Sequence, residues 1–237
     1  MQRVLIASSK GGCGKSTLTT NLAVALAQAG RRVAVFDCDH QGSSLEWARV
    51  RGPVQPPIAV HASAEGEGFG GGWSLKIAPG TDMVLIDTPA GLRRFHTAEL
   101  LRRCERVLVP VVPSAMDLRA TLPFLSELGQ QPAVRSGQVR VGLVANRRRE
   151  RTVAAREFDA LARQLPFPLV ATIRDSQAYV VTSAIGKGLF DYQTAATAEC
   201  RAEWAPLLAW LDARLAAGPQ AELAFGPPTN VVPIARP

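Results

Sequence analysis

Ten residues near the start of the chain, SSKGGCGKST at positions 8–17, combine three glycines, two lysines and several hydroxyls. Gly11, Gly12 and Gly14 let the backbone wrap an anion with its N–H groups turned inward and a helix N-terminus behind them. Lys15 is placed to reach the β and γ phosphates of a nucleotide, and Ser16 to set its hydroxyl on Mg2+, with Cys13 and Thr17 completing the loop. The apolar run VLIA before the loop and LTTNLAVALAQAG after it supply the strand and helix that such a loop needs. One lysine suffices for that chemistry, so Lys10 requires a second role.

Three carboxylates follow. FDCDHQGSS, residues 36–44, carries Asp37 and Asp39, and MVLIDTPAG, residues 83–91, ends an apolar run in Asp87. All three fall at carboxyl ends of expected strands, where ligands sit in open α/β sheets. Asp87 is placed to hold Mg2+ through a water. Further along, NRRRERTVAAR at 146–156 gathers Arg147, Arg148, Arg149, Arg151 and Arg156. Such a run reads either as a solvated helix start or as a set of cations that neutralise nucleic-acid phosphates.

Six apolar, β-rich runs must position these groups: 3–8, 31–37, 83–88, 106–113, 140–146 and 168–173. Their hydrophobicity is continuous rather than alternating, as in strands covered on both faces. Helical patterns lie between and after them at 15–29, 92–103, 117–129, 151–165 and 197–216. The alternation predicts an α/β fold, a doubly wound and mainly parallel sheet flanked by helices. Residues 52–81 are rich in Gly and Pro and read as loop, with one short strand at PIAVHA. In the final helix, Trp204, Leu207, Leu208, Leu211 and Leu215 form one stripe that should face the core, with Pro206 in the first turn or at a kink. One domain over 1–217 is expected, and 218–237, with five prolines and no periodicity, reads as a mobile tail.

With 27 basic and 20 acidic side chains the net charge is +7, which favours a polyanionic partner without naming one. Only four basic residues are lysines, Lys10, Lys15, Lys76 and Lys187, so two of them within one loop mark places where a compact ammonium is wanted. Cys13, Cys38, Cys104 and Cys200 are too scattered for a zinc ribbon, a redox pair or a disulfide framework. RVLIAS is too short for a signal peptide and no apolar stretch reaches membrane-spanning length, so a soluble, cytoplasmic protein is expected.

KGGCGKST resembles the deviant Walker A loop of the ParA/MinD group of P-loop ATPases. The resemblance implies a role for Lys10: in that family two monomers sandwich two ATP molecules, and each early lysine crosses to the phosphates of the other subunit. It also implies that Asp39 polarises the attacking water, that Asp37 sits near the metal or the loop, and that TPAG senses the γ-phosphate. His40 stands where the family usually has proline. Asn146 is similar to a residue that contacts adenine in relatives. TIRDSQAYVVTSAIGKGLFDY, residues 172–192, resembles a further family segment, with Ile173 in place of proline; there Arg174 could pair across the dimer face or touch nucleic acid.

Family membership further implies an ATP-dependent homodimer that binds non-specific DNA, coats the nucleoid and positions a cargo. An activator with a basic peptide, encoded nearby, would stimulate slow basal hydrolysis. The chain starts directly at the first strand, as short members without an N-terminal helix-turn-helix domain do. Alternatives are a membrane-cycling ATPase of the MinD kind, which needs a terminal amphipathic helix that PPTNVVPIARP cannot form, and a metabolic or electron-transfer enzyme on the same loop. An iron–sulfur protein would need paired cysteines near a dimer axis, and Cys104 alone is a poor substitute.

Overall fold

Among the described residues, seven parallel strands form one sheet, in the order β3-β2-β4-β1-β5-β6-β7. The structure is a computed structural model that describes residues 1–62, 77–91, 94–150 and 152–213. The strands are β1 (Gln2–Ile6), β2 (Val33–Asp37), β3 (Ile58–Ala62), β4 (Met83–Asp87), β5 (Arg106–Val111), β6 (Arg140–Arg148) and β7 (Leu169–Arg174). The expected doubly wound sheet is therefore present, and PIAVHA supplies its edge as β3, parallel to β2.

Successive strand residues point to opposite faces, so one apolar run builds two cores. Leu5, Val84, Ile86, Val107 and Val109 face one side, while Val4, Ile6, Met83, Leu85 and Leu108 face the other. Every residue of β2, β4 and β5 is buried, which is why their sequences do not alternate with polar residues. Each fully buried Leu, Ile or Val contributes roughly 1.5–3 kcal/mol to holding the layers together.

The first core is covered by α3 (Arg94–Leu101), α4 (Ala115–Gln130) and α6 (Val153–Ala162), through Leu100, Leu125, Leu128 and Phe158. The second is covered by α1 (Lys15–Gln28) through Leu18 and Leu22, and by the C-terminal helices. The short α5 (Pro132–Arg135) links α4 to β6.

The helix expected over 197–216 is two helices, α8 (Ala195–Ala202) and α9 (Ala205–Asp212). Pro206 lies in the first turn of α9, where a missing N–H costs nothing. Trp204, Leu207 and Leu211 are buried and Leu208 is half-buried, as the stripe predicted; Leu215 and the expected tail lie outside the described residues. Besides the four-residue α5, two helices, α2 (Ser43–Val50) and α7 (Gln177–Ala184), were not anticipated. Each spans 8 residues, too short for a periodic pattern to stand out.

Arg51, at the end of α2, joins it to the remainder. Its guanidinium pairs with Asp191 Oδ2 at 2.8 Å, donates to the carbonyls of Gly186 and Pro56, and packs over the Trp47 ring. Both partners of this ion pair are buried. Burial pushes the Asp191 carboxyl up, but Arg51 and the Gly188 N–H hold it below its ordinary value. Among the described residues no helix is long and apolar enough to cross a membrane.

Candidate functional site

The loops after β1, β2 and β4 and the final residues of β6 converge at the carboxyl end of the sheet, around a cavity of about 570 Å³ lined by Gly12, Lys15, Thr17, Asp39, Pro89 and Arg147, among others. Its floor is the glycine loop. Gly12 and Gly14 adopt φ of 75° and 87°, left-handed values that a side chain would strain. Gly14 is also the N-cap of α1, which has no side-chain cap and no acidic residue in its first turn. The helix therefore begins with unsatisfied N–H groups and an unopposed positive dipole end, a ready anion site. Lys15 is 6% exposed and its ammonium donates to Ser8 Oγ at 3.3 Å, folded back over the loop.

Asp37 and Asp87 are register partners on β2 and β4, which puts two buried carboxylates side by side. Their hydrogen bonds separate their tasks. Asp37 Oδ2 accepts from the N–H groups of Ser44 (2.8 Å) and Leu45 (3.0 Å), and Oδ1 from that of Asp39 (3.1 Å). It caps α2. Asp87 Oδ2 accepts from Ser44 Oγ at 2.7 Å, while Oδ1 is buried with no hydrogen-bond partner among the described residues.

Burial pushes the Asp87 carboxyl up to about 6, and the charge of Asp37 adds to the rise. The Ser44 hydroxyl, the Ser16 hydroxyl and the Lys15 ammonium pull it down, Ser16 without closing a hydrogen bond to Oδ1. An orphaned carboxylate oxygen facing a serine hydroxyl suits a small hard cation that keeps several waters. Asp39 lines the cavity; its Oδ1 accepts from the Gln41 N–H at 3.1 Å.

Lys10 is not brought into this cavity. It lines a smaller recess of about 180 Å³ with Asp117 and Thr121. Its ammonium donates to Asp117 Oδ1 at 2.8 Å, and Asp117 Oδ2 accepts from Ser114 Oγ, the N-cap of α4. The Lys10 ammonium and the Ser114 hydroxyl hold the Asp117 carboxyl below its ordinary value. Asp117 was missed from the sequence, although Ser114-x-x-Asp117 is a helix-start pattern.

β6 carries a bulge next to the glycine loop. Ala145 pairs with Thr172 and Arg148 with Arg174, so Asn146 and Arg147 together oppose Ile173. Asn146 is 5% exposed and its Nδ2 donates to the Cys13 carbonyl at 2.8 Å, beneath the loop. A Cβ on Gly14 would lie 2.3 Å from that nitrogen. Arg147 has φ 59°, the one left-handed non-glycine among the described residues, at a cost of roughly 1–2 kcal/mol. Its Nη1 donates to the Gly12 carbonyl at 3.3 Å and its Nε lies 3.8 Å from Asp175.

The other arginines of the cluster diverge. Arg148 makes a two-pronged pair with Asp159 at 2.6 and 2.8 Å, and Arg149 Nε donates to Asp175 at 2.9 Å. Arg174 pairs with Glu203 at 2.5 Å and with Glu199 at 3.0 Å. Arg151 lies outside the described residues. What one run of sequence groups together, the fold spreads over the loop, α6 and the end of β7.

A family model for the CobQ/CobB/MinD/ParA nucleotide binding domain matches residues 4–188. The chain is 29% identical over 202 residues to Maintenance of carboxysome distribution protein A of Halothiobacillus neapolitanus, covering 84% of this chain and 90% of that one. It is 30% identical over 190 residues to the chromosome-partitioning ATPase Soj of Thermus thermophilus, with 69% and 76% covered. Its fold is similar to a Borrelia burgdorferi putative plasmid partition protein bound to AMPPNP, with a TM-score of 0.67 at 16% identity over 88% of this chain and 99% of that one.

Proposed function

The chain belongs to the CobQ/CobB/MinD/ParA nucleotide-binding family, and on that premise we propose that it is an ATPase that dimerises around ATP, binds DNA without sequence preference and positions a cargo. The observation that carries this reading is the loop with its second lysine. Lys15 stands inside the cavity and Lys10 outside it, half-exposed, on a carboxylate of its own chain. A cation in that position can be handed to a phosphate supplied by a second copy, so nucleotide and partner are sensed together.

Within one protomer, Lys15 and the start of α1 hold the phosphates. Ser16 and the orphaned Asp87 oxygen fit Mg2+, which would neutralise charge between the β and γ phosphates. Asp37 keeps α2 and Ser44 in place behind them. Asp39, on the cavity wall, orients the attacking water. Pro89 and Ala90 lie on the same wall, where the TPAG segment can register the γ-phosphate.

Arg148, Arg149 and Arg174 each hold a carboxylate that DNA phosphate would have to replace. DNA binding should therefore be weak in the monomer and strongly salt-dependent in the dimer. Arg151 is proposed with them. The cargo is DNA or a protein assembly, as the names of the relatives describe for those proteins. An activator offering a basic peptide completes the hydrolytic site, and the dimer works in the cytoplasm on the nucleoid. Residues 1–217 are proposed as the ATPase domain and 218–237 as a tail.

The test is sedimentation of Asp39→Ala with ATP and with ADP, with and without unrelated duplex DNA. A dimer that forms with ATP alone and co-sediments with any sequence supports the reading. A monomer under both nucleotides, or equal DNA binding with ADP and ATP, overturns it.

A further inference from the structure

We propose that the β6 bulge is a clamp that presets the phosphate loop, and that Arg147 is a positioning residue for nucleotide phosphates rather than a member of the DNA-facing surface. Two neighbouring side chains seize two neighbouring peptide groups: Arg147 Nη1 holds the Gly12 carbonyl and Asn146 Nδ2 holds the Cys13 carbonyl. In a planar trans peptide the C=O and the following N–H point in opposite directions. Fixing the carbonyls of Gly12 and Cys13 toward β6 therefore turns the N–H groups of Cys13 and Gly14 away from it, as an anion cradle requires.

The backbone supports the same assignment. Asn146 and Arg147 are the two residues that oppose one in the bulge, and a bulge beside a site re-aims side chains. Arg147 is held at φ 59° without being glycine, which persists only where the surroundings impose it. Its guanidinium is tied between Gly12 and Asp175, and Asp175 is itself fixed by Arg149 and by its N–H to the Arg148 carbonyl. Arg147 lines the same cavity as Lys15 and Asp39. The Arg147 side chain is 55% exposed, but exposure alone would call for neither the strained backbone nor the contact with Gly12.

The inference rests on the nucleotide-binding part of the proposed function, so its primary test uses ADP and the full chain, with DNA affinity as a separate control. Arg147→Gly removes the guanidinium and relieves the left-handed backbone; Arg147→Asn also tolerates that backbone and guards against a folding failure. Both should bind ADP about tenfold more weakly, in line with the loss of one hydrogen bond from a charged donor. Inorganic pyrophosphate, with neither base nor ribose, should lose the same factor in competition for a fluorescent ADP analogue. The Arg147→Gly melting temperature should stay level or rise by about 2–4 °C.

DNA affinity of both variants at saturating nucleotide should match the wild type within about twofold. ADP affinity unchanged in both variants overturns the clamp. So does a loss confined to ADP with pyrophosphate unaffected, because the guanidinium would then serve the base or ribose. Weaker DNA binding with normal ADP affinity would return Arg147 to the basic surface.

Discussion

Lys10 and Lys15 belong to one loop and carry one charge each, yet their surroundings differ. Lys15 is buried, turned inward over the loop, with a neutral hydroxyl as hydrogen-bond partner. Lys10 has a side chain 40% exposed and rests on a charged carboxylate. A buried cation opposite a hydroxyl is poised for any phosphate that enters, whereas a half-exposed cation on a carboxylate stays until a better anion is offered. On the proposed roles, the environment more than the residue type would divide binding from sensing.

The sharpest way to break that contrast is Lys15→Ala, which should weaken ADP and ATP binding by roughly 100-fold or more, measured by calorimetry, because a desolvated charge partner is lost. Asp37→Ala comes next. It strips α2 of a buried cap and should cost about 1–3 kcal/mol, a fall of roughly 2–12 °C in melting temperature, with ADP affinity less affected than in Lys15→Ala.

Lys10→Ala should leave ADP affinity within about threefold and stability within about 1 kcal/mol, since the pair it breaks is partly exposed. If sensing is its task, the ATP-dependent dimer disappears in sedimentation velocity while ADP still binds; a normal dimer would erase the distinction between the lysines. The smallest effect is expected from Asp117→Ala, which frees Lys10: the ATP dimer should tighten by about two- to fivefold while stability changes by less than about 1 kcal/mol.

The sign with pH follows from Asp117's lowered carboxyl. Any stability from the Lys10–Asp117 pair is present above the ordinary carboxylate range and is lost as pH falls through the folded value. A stability difference between wild type and Asp117→Ala that grew on acidification would contradict the pairing.

The phosphate loop was legible because all its chemistry is local: glycines, lysine and hydroxyl are neighbours in sequence, between a strand and a helix that announce themselves. The sheet was legible because β2, β4 and β5 are buried on both faces and read as unbroken apolar runs. What holds the loop was not. Ser8 is a commonplace residue, Asp117 arrives from α4, and Asn146 and Arg147 arrive from a bulge that leaves no mark in a list of residue types. The arginine run shows the same limit from the other side. Adjacency in sequence suggested one basic surface, whereas the left-handed turn at Arg147 and the return to the strand at Arg148 send neighbouring side chains in different directions. Short α2 and α7 escaped notice because two turns cannot establish a period.

The start of α1, two left-handed glycines followed by a first turn without acid, is electrically an open socket. Sulfate or phosphate in a purification buffer should plug it and raise the apparent melting point, so stabilities recorded in different buffers will describe differently occupied proteins, and an inhibitor screen run in phosphate will start against a competitor.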